Sequence, residues 1–154
     1  MPNDEISLQP TKELPQYLNK AQLNFISQKT PAQFIKVRPG PSGMKLSYVE
    51  VGYVISVLNQ VFGWDWDFRI MDQQIGKKQV WVRGELTVRL KDHSITKGQF
   101  GGSDIKSNKN GDPISIADDL KTAASDCLKK CASMLGIAND LYWRDSDLWT
   151  EEIA

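Results

Sequence analysis

Residues 80–91 alternate without a break. Val80, Val82, Gly84, Leu86, Val88 and Leu90 take one parity, and Trp81, Arg83, Glu85, Thr87, Arg89 and Lys91 the other. A period of two over this length specifies a half-buried strand with one apolar face. The preceding run repeats the pattern, with Trp64, Trp66, Phe68 and Ile70 against Asp65, Asp67, Arg69 and Met71. Gly76-Lys77-Lys78 supplies a turn between the two runs, and Asp92-His93 supplies a second before a third strand over Ser94–Phe100. Strands joined by such tight turns are neighbours, so the sheet is expected to be antiparallel with one wet face. From Gly101 to Pro113 the composition (GGSDIKSNKNGDP) is that of a loop.

Helical patterns flank the strands. Over Ala117–Leu141, the residues Ile116, Leu120, Ala123, Cys127, Cys131 and Met134 recur at three- and four-residue steps and predict one amphipathic helix with a small-residue face. Ser115 and Asp118 have capping spacing, Asp118 and Asp119 suit the positive helix start, and Gly136 suits a left-handed end. A second helix is predicted over Ser47–Phe62, with Ser47 and Glu50 as a capping box and Val51, Val54, Ile55, Leu58, Val61 and Phe62 as its buried stripe. Leu14–Ser27 predicts another, and Thr30–Gly43 reads as a loop holding one short extended piece. The fold class is therefore α+β: an antiparallel three-stranded sheet packed against a long C-terminal helix, with additional N-terminal helices. The 154 residues predict a polar tail over 1–13, a single domain over 14–142 and an acidic tail over 143–154.

Several function classes lose support at once. No apolar run reaches membrane-spanning length and the polar start lacks signal-peptide character, so the expected location is the cytoplasm. The two cysteines, Cys127 and Cys131, have helical core spacing and no second pair to complete a zinc site. The single histidine, His93, falls in a turn, which removes most triad and zinc arrangements. Gly98–Gly102 lacks the lysine and the spacing of a phosphate loop. Asp65 and Asp67 share a strand face and offer the one carboxylate pair for magnesium, as in a metal-dependent nuclease, although strand alternation accounts for them without a metal. The expectation is a protein that is not an enzyme and carries no cofactor.

Binding chemistry is better represented. The formal net charge is zero, yet residues 77–130 carry eleven Lys/Arg against seven Asp/Glu, and residues 131–154 one Arg against five acids. A binder of single-stranded nucleic acid needs spaced cations with flat side chains among them. Trp81, Arg83, Arg89 and Lys91 on the polar strand face have that mixture, as do Arg38, Lys45 and Tyr48 around the Gly/Pro loop. The adjacent pair Lys129-Lys130 is displayed from the predicted helix, where a rigid element holds charge in register.

The order of elements, with Lys-Leu-Ser-Tyr-Val-Glu (45–50), Phe-Gly-Trp (62–64), Val-Arg-Leu-Lys-Asp (88–92), Gly-Gly-Ser-Asp (101–104) and Asp-Cys-Leu-Lys-Lys-Cys (126–131), resembles the Rad52/Rad22 recombination proteins. The ending Leu-Gly-Ile-Ala-Asn-Asp-Leu-Tyr (135–142) is also similar to the mitochondrial genome-maintenance nucleoid protein. The resemblance spans roughly Gln33 to Tyr142. It implies a short phage- or bacterial-type member with a β-β-β-α core, whose subunits assemble as a ring with a basic groove outside. Single-stranded DNA would lie there with its bases outward, annealing to a complementary strand in recombination and repair. A phage-encoded member would act in the bacterial cytoplasm, with a single-strand binding protein or a recombinase as further partners.

Carried over residue by residue, the resemblance implies a DNA cleft of Arg38, Tyr48, Lys129 and Lys130, with Ser133 standing where better-known members have a further cation. A secondary contact would use Lys77 or Lys78 at the hairpin and Lys106 or Lys109 in the loop before the long helix. Trp81, Arg83 and Lys45 join this secondary set from the residue reading. The acidic tail (Asp140, Asp145, Asp147, Glu151, Glu152) is open to three roles: mimicking DNA, contacting a neighbouring subunit, or solvating the end. A nucleic-acid coating or RNA-binding module without annealing is the competing reading.

Overall fold

The computed structural model describes residues 17–142. In chain order the elements are α1 (Lys20–Ser27), β1 (Lys36–Pro39), β2 (Lys45–Tyr48), α2 (Val51–Phe62), β3 (Trp66–Ile75), β4 (Gln79–Leu90), β5 (His93–Asp104), α3 (Ile116–Ser133) and the single turn α4 (Asn139–Tyr142). β3, β4 and β5 form the antiparallel sheet in sequence order, and β1 and β2 form a separate two-stranded hairpin. The predicted tails at 1–13 and 143–154, and residues 14–16 of the Leu14–Ser27 helix, lie outside the described residues; that helix begins only at Lys20, where the Asn19 side chain caps it by accepting from the Gln22 N–H. Among the described residues no helix is long and apolar enough to cross a membrane.

The alternation in β4 has the consequence expected of it. Val80, Val82, Leu86 and Val88 are buried against α3, and the opposite parity is half-exposed. α3 meets this face with Ala123, Cys127, Cys131 and Ala132, all buried. Small residues let the helix come unusually close. A Cβ on Gly101 would stand 2.6 Å from the Cβ of Cys127, and one on Gly84 would stand 2.7 Å from Phe68 and 3.0 Å from the Cys127 sulfur. The Cys127 thiol donates to the Gln99 carbonyl at 3.1 Å, and Cys131 to that of Gly84 at 3.8 Å. α2 closes the core from the side with Val54, Val57, Leu58, Val61 and Phe62. Gly63 ends α2 in the left-handed conformation at φ 60°.

Five expectations are corrected. The second helix begins at Val51, not Ser47, because Ser47 and Tyr48 pair with Val37 and Lys36 in the hairpin. Glu50 is the N-cap residue, but its carboxylate binds Lys36 at 2.8 Å instead of completing a capping box. β5 runs on to Asp104, since Gly101 and Gly102 pair with Val82 and Trp81 where a loop was expected. The third helix stops at Ser133 rather than continuing to Leu141. Gly136 (φ 108°) and Ala138 (φ 56°) turn the chain back, which leaves Met134 40% exposed instead of on the buried stripe. Trp64 leaves the strand pattern altogether: it sits at φ 62° in the turn after α2 and is 73% exposed. Trp66 is the half-buried tryptophan instead, packed against the core with its indole N–H donating to Asn59 at 2.7 Å.

Candidate nucleic-acid interface

Residues far apart in the chain converge where the small hairpin meets α3. Arg38 lies on β1 and Tyr48 on β2, and the antiparallel register pairs Arg38 with Leu46. The Arg38 guanidinium carbon lies 5.7 Å from the centre of the Tyr48 ring, and the Lys129 ammonium lies 5.7 Å from the same centre. One aromatic ring therefore has two cations within cation–π range. The Lys129 ammonium is anchored by donating to the carbonyl of the buried residue Val49 at 3.2 Å. Burial holds its pKa below the ordinary lysine value of 10.5, the positive charges of Arg38 and Lys130 add to that lowering, and Asp126 opposes it.

The neighbouring carboxylates are committed elsewhere. Asp126 accepts from Lys130 at 3.0 Å and from the Gly102 backbone N–H at 3.0 Å, through the same oxygen. Glu50 is held by Lys36. Among the described residues, neither Arg38 nor Lys129 has a carboxylate within salt-bridge distance. Tyr142 adds a buried hydroxyl with no partner among the described residues; burial first, and then the Asp126 charge, push its pKa up to about 12, against the pull of Arg38. Ser133 is buried and its hydroxyl closes on the Lys130 carbonyl at 2.6 Å. The position implied to have lost a cation therefore points into the packing of α3.

The structure thus brings together Arg38, Tyr48 and Lys129, with Lys130 one residue on and tied to Asp126. Two neighbours escaped the sequence reading, Asp126 and Tyr142. Asp126 carries a readable signal, its i,i+4 spacing to Lys130. Tyr142 carries none, because its place depends on the reversal at Gly136–Ala138.

The secondary residues fall elsewhere. β5 runs antiparallel to α3, with Gly101 against Ala123 and Gln99 against Cys127, so the β3–β4 hairpin tip lies towards the start of α3. Lys77 and Lys78 form that tip, and the Ile105 N–H donates to the Lys78 carbonyl at 2.9 Å, bringing the chain at Lys106 beside them. Lys109 lies further along the same loop, and Lys45 is exposed at the start of β2 opposite Pro39. Trp81 and Arg83 lie on the sheet face turned away from α3. Asp65 and Asp67 are bridged by Arg89, at 2.6 and 2.8 Å, so a cation already stands between the carboxylates considered for magnesium. No group of three or more potential metal-ligating side chains occurs among the described residues.

The chain as a whole is similar to known proteins. Residues 19–151 match the model of the Rad52/22 family double-strand break repair protein. The chain is also 27% identical, over 91% of its length, to the DNA repair and recombination protein radC of Emericella nidulans. It spans 27% of that relative's length. With the family model matching most of its residues, the chain belongs to the Rad52/22 family.

Proposed function

We propose that this chain binds single-stranded DNA and anneals complementary strands in recombination and repair, holding the phosphates in a basic groove that becomes continuous when subunits assemble as a ring. The observation that carries the reading is that Arg38 and Lys129 each lie 5.7 Å from the centre of the Tyr48 ring, with no carboxylate paired to either among the described residues. Two cations gathered at one ring favour a nearby anion, and the phosphodiester backbone supplies a row of such anions. Family membership supports the same class of activity. Annealing needs no bond-making group: fixed cations hold the backbone and leave the bases to sample a second strand. The Arg89 bridge across Asp65 and Asp67 weakens the nuclease alternative.

The region over 14–142 acts in this reading as a single binding domain. The groove is expected to extend from Arg38, Tyr48, Lys129 and Lys130, with Lys77, Lys78, Lys106 and Lys109 as the more distant contact. Pairing of complementary fluorescent oligonucleotides tests the reading. Annealing should proceed without magnesium and fall sharply in the double variant Lys129→Ala/Lys130→Ala with its circular dichroism spectrum unchanged. Normal annealing by that variant would refute the clamp, and binding without acceleration of pairing would assign the chain to coating. Light scattering should find an oligomer; a monomer at all concentrations would end the shared-groove argument.

A further inference from the structure

The sheet face turned away from α3 holds an aromatic pair that neither the core nor the clamp uses. Trp81 on β4 and Phe100 on β5 meet edge to face with ring centroids 5.7 Å apart, and Phe100 is 53% exposed. The register sets Phe100 and Asp72 on either side of Arg83, and Gly102 and Gln74 on either side of Trp81. Arg83 is bound only loosely, by Glu85 at 3.8 Å, and its side chain is well exposed.

The glycines of β5 sharpen this observation. Gly101 faces α3 and has no room for a side chain, but Gly98 and Gly102, on the same face as Phe100, are different. A Cβ at Gly98 would find its nearest neighbours at 3.6 Å, one at Gly102 at 3.4 Å, and neither residue has positive φ. Nothing among the described residues forbids a side chain at either place, and glycine weakens a strand interior. Their effect is to leave bare backbone on both sides of an exposed ring, a flat strip on which a planar group can lie.

We propose that Trp81 and Phe100 form a stacking platform for the bases of single-stranded nucleic acid, with Arg83 taking an adjacent phosphate, separate from the clamp of Arg38, Tyr48 and Lys129. The inference rests on the reading of the chain as a binder of single strands. The occupant follows from the chemistry of the patch. Gln74, Arg83 and exposed backbone border the rings, with Asp72 and Glu85 beside Arg83. Rings for base faces, a cation for phosphate and polar groups for base edges are what an unpaired strand needs.

The test compares full-length variants on labelled oligo(dT) and on an abasic oligonucleotide of equal length. Trp81→Ala and Phe100→Ala should each weaken oligo(dT) binding roughly 5- to 160-fold, the range of one lost base stack. Binding of the abasic strand, and the slope of log affinity against log salt, should stay unchanged; Arg38→Gln should lower that slope by about 0.7, since it removes a phosphate contact. Trp81→Phe should restore most of the affinity. Gly98→Val places a β-branched side chain where there is room, so it should keep the unfolding midpoint while reducing oligo(dT) affinity.

Wild-type affinity in the two alanine variants would overturn the platform and leave the clamp standing if the Arg38 variant is impaired. Equal loss on the abasic strand, or a drop in oligomer mass, would overturn it in favour of a contact between copies. Failure of the wild-type chain to bind any single strand would instead refute the underlying reading.

Discussion

Replacing Lys129 by methionine isolates the charge at the centre of the clamp. The Met side chain keeps most of the stem that packs beside Tyr48 but removes the ammonium, which stands 3.2 Å from the Val49 carbonyl and 5.7 Å from the Tyr48 ring. For a single strand, affinity falls with salt with an exponent of about 0.7 per neutralised phosphate. At 0.1 M salt one lost contact therefore costs roughly fivefold from counterion release alone, and the log–log slope flattens by about 0.7. Stability should move little. The Val49 carbonyl loses a donor, at about 1 kcal/mol, while a desolvated charge beside Arg38 is relieved.

The charge also carries a pH signature. The folded pKa of Lys129 lies below the ordinary 10.5, chiefly through burial, so in the alkaline window beneath 10.5 the free protein has lost part of this charge. In that window the unfolded chain binds more protons than the folded one, and stability gains from this group as pH rises. A bound phosphate favours the charged form, so binding should take up protons there. Calorimetry of oligonucleotide binding in two buffers of different ionisation enthalpy, at pH 7 and pH 9.5, measures that uptake. Uptake at pH 9.5 in the wild type and less in Lys129→Met is expected. An unchanged salt slope and unchanged uptake in the variant would refute the placement of phosphate at Lys129.

Asp126→Asn should free Lys130 from its 3.0 Å pair and steepen the salt dependence of single-strand binding, as measured by fluorescence anisotropy across a salt series. Gly101→Ala forces a Cβ to within 2.6 Å of the Cys127 Cβ and should destabilise the fold by about 1–3 kcal/mol or more in urea unfolding, since neither strand nor helix backbone can yield cheaply. Arg89→Ala breaks the bridge to Asp65 and Asp67 but should cost no more than about 1 kcal/mol in the same assay, because the three side chains are well exposed.

The large sheet was legible because its signal is long. Twelve residues of strict alternation in β4 fix a strand and its buried face, and two tight turns fix its neighbours. The small hairpin was not, because β1 and β2 have four residues each, too few for a period to register. Ser47 and Glu50 have the spacing of a capping box, a local pattern overridden by pairing with β1 and by the ion pair to Lys36. The extension of β5 was hidden by Gly101 and Gly102, which read as loop residues while one of them is glycine because α3 lies against it. At the site, Arg38, Tyr48, Lys129 and Lys130 came from a resemblance and from charge next to flat side chains. Sequence could not say that Lys130 is committed to Asp126 while Lys129 is not. That distinction depends on which face of α3 meets the hairpin, and a one-residue rotation of the helix exchanges the two lysines.

The clamp is costly as an isolated object. Arg38 and Lys129 approach one ring from separate elements, Lys129 is partly desolvated, and the acids within reach are spent on Lys130 and Lys36. A fold selected for stability alone would place a carboxylate between two such cations, because an opposite charge relieves both. Their position is instead set by constraints that have nothing to do with pairing them. Gly84 and Gly101 allow α3 to sit deep on the sheet, the Val49 carbonyl fixes the Lys129 ammonium, and the β1–β2 register fixes Arg38 beside Tyr48. In the proposed clamp an arriving phosphate would meet charges that need no reorganisation, and its binding would offset the repulsion between them. The same logic makes binding and stability rise together: a ligand that neutralises the clamp should raise the unfolding midpoint by an amount that grows with ligand concentration and shrinks with salt.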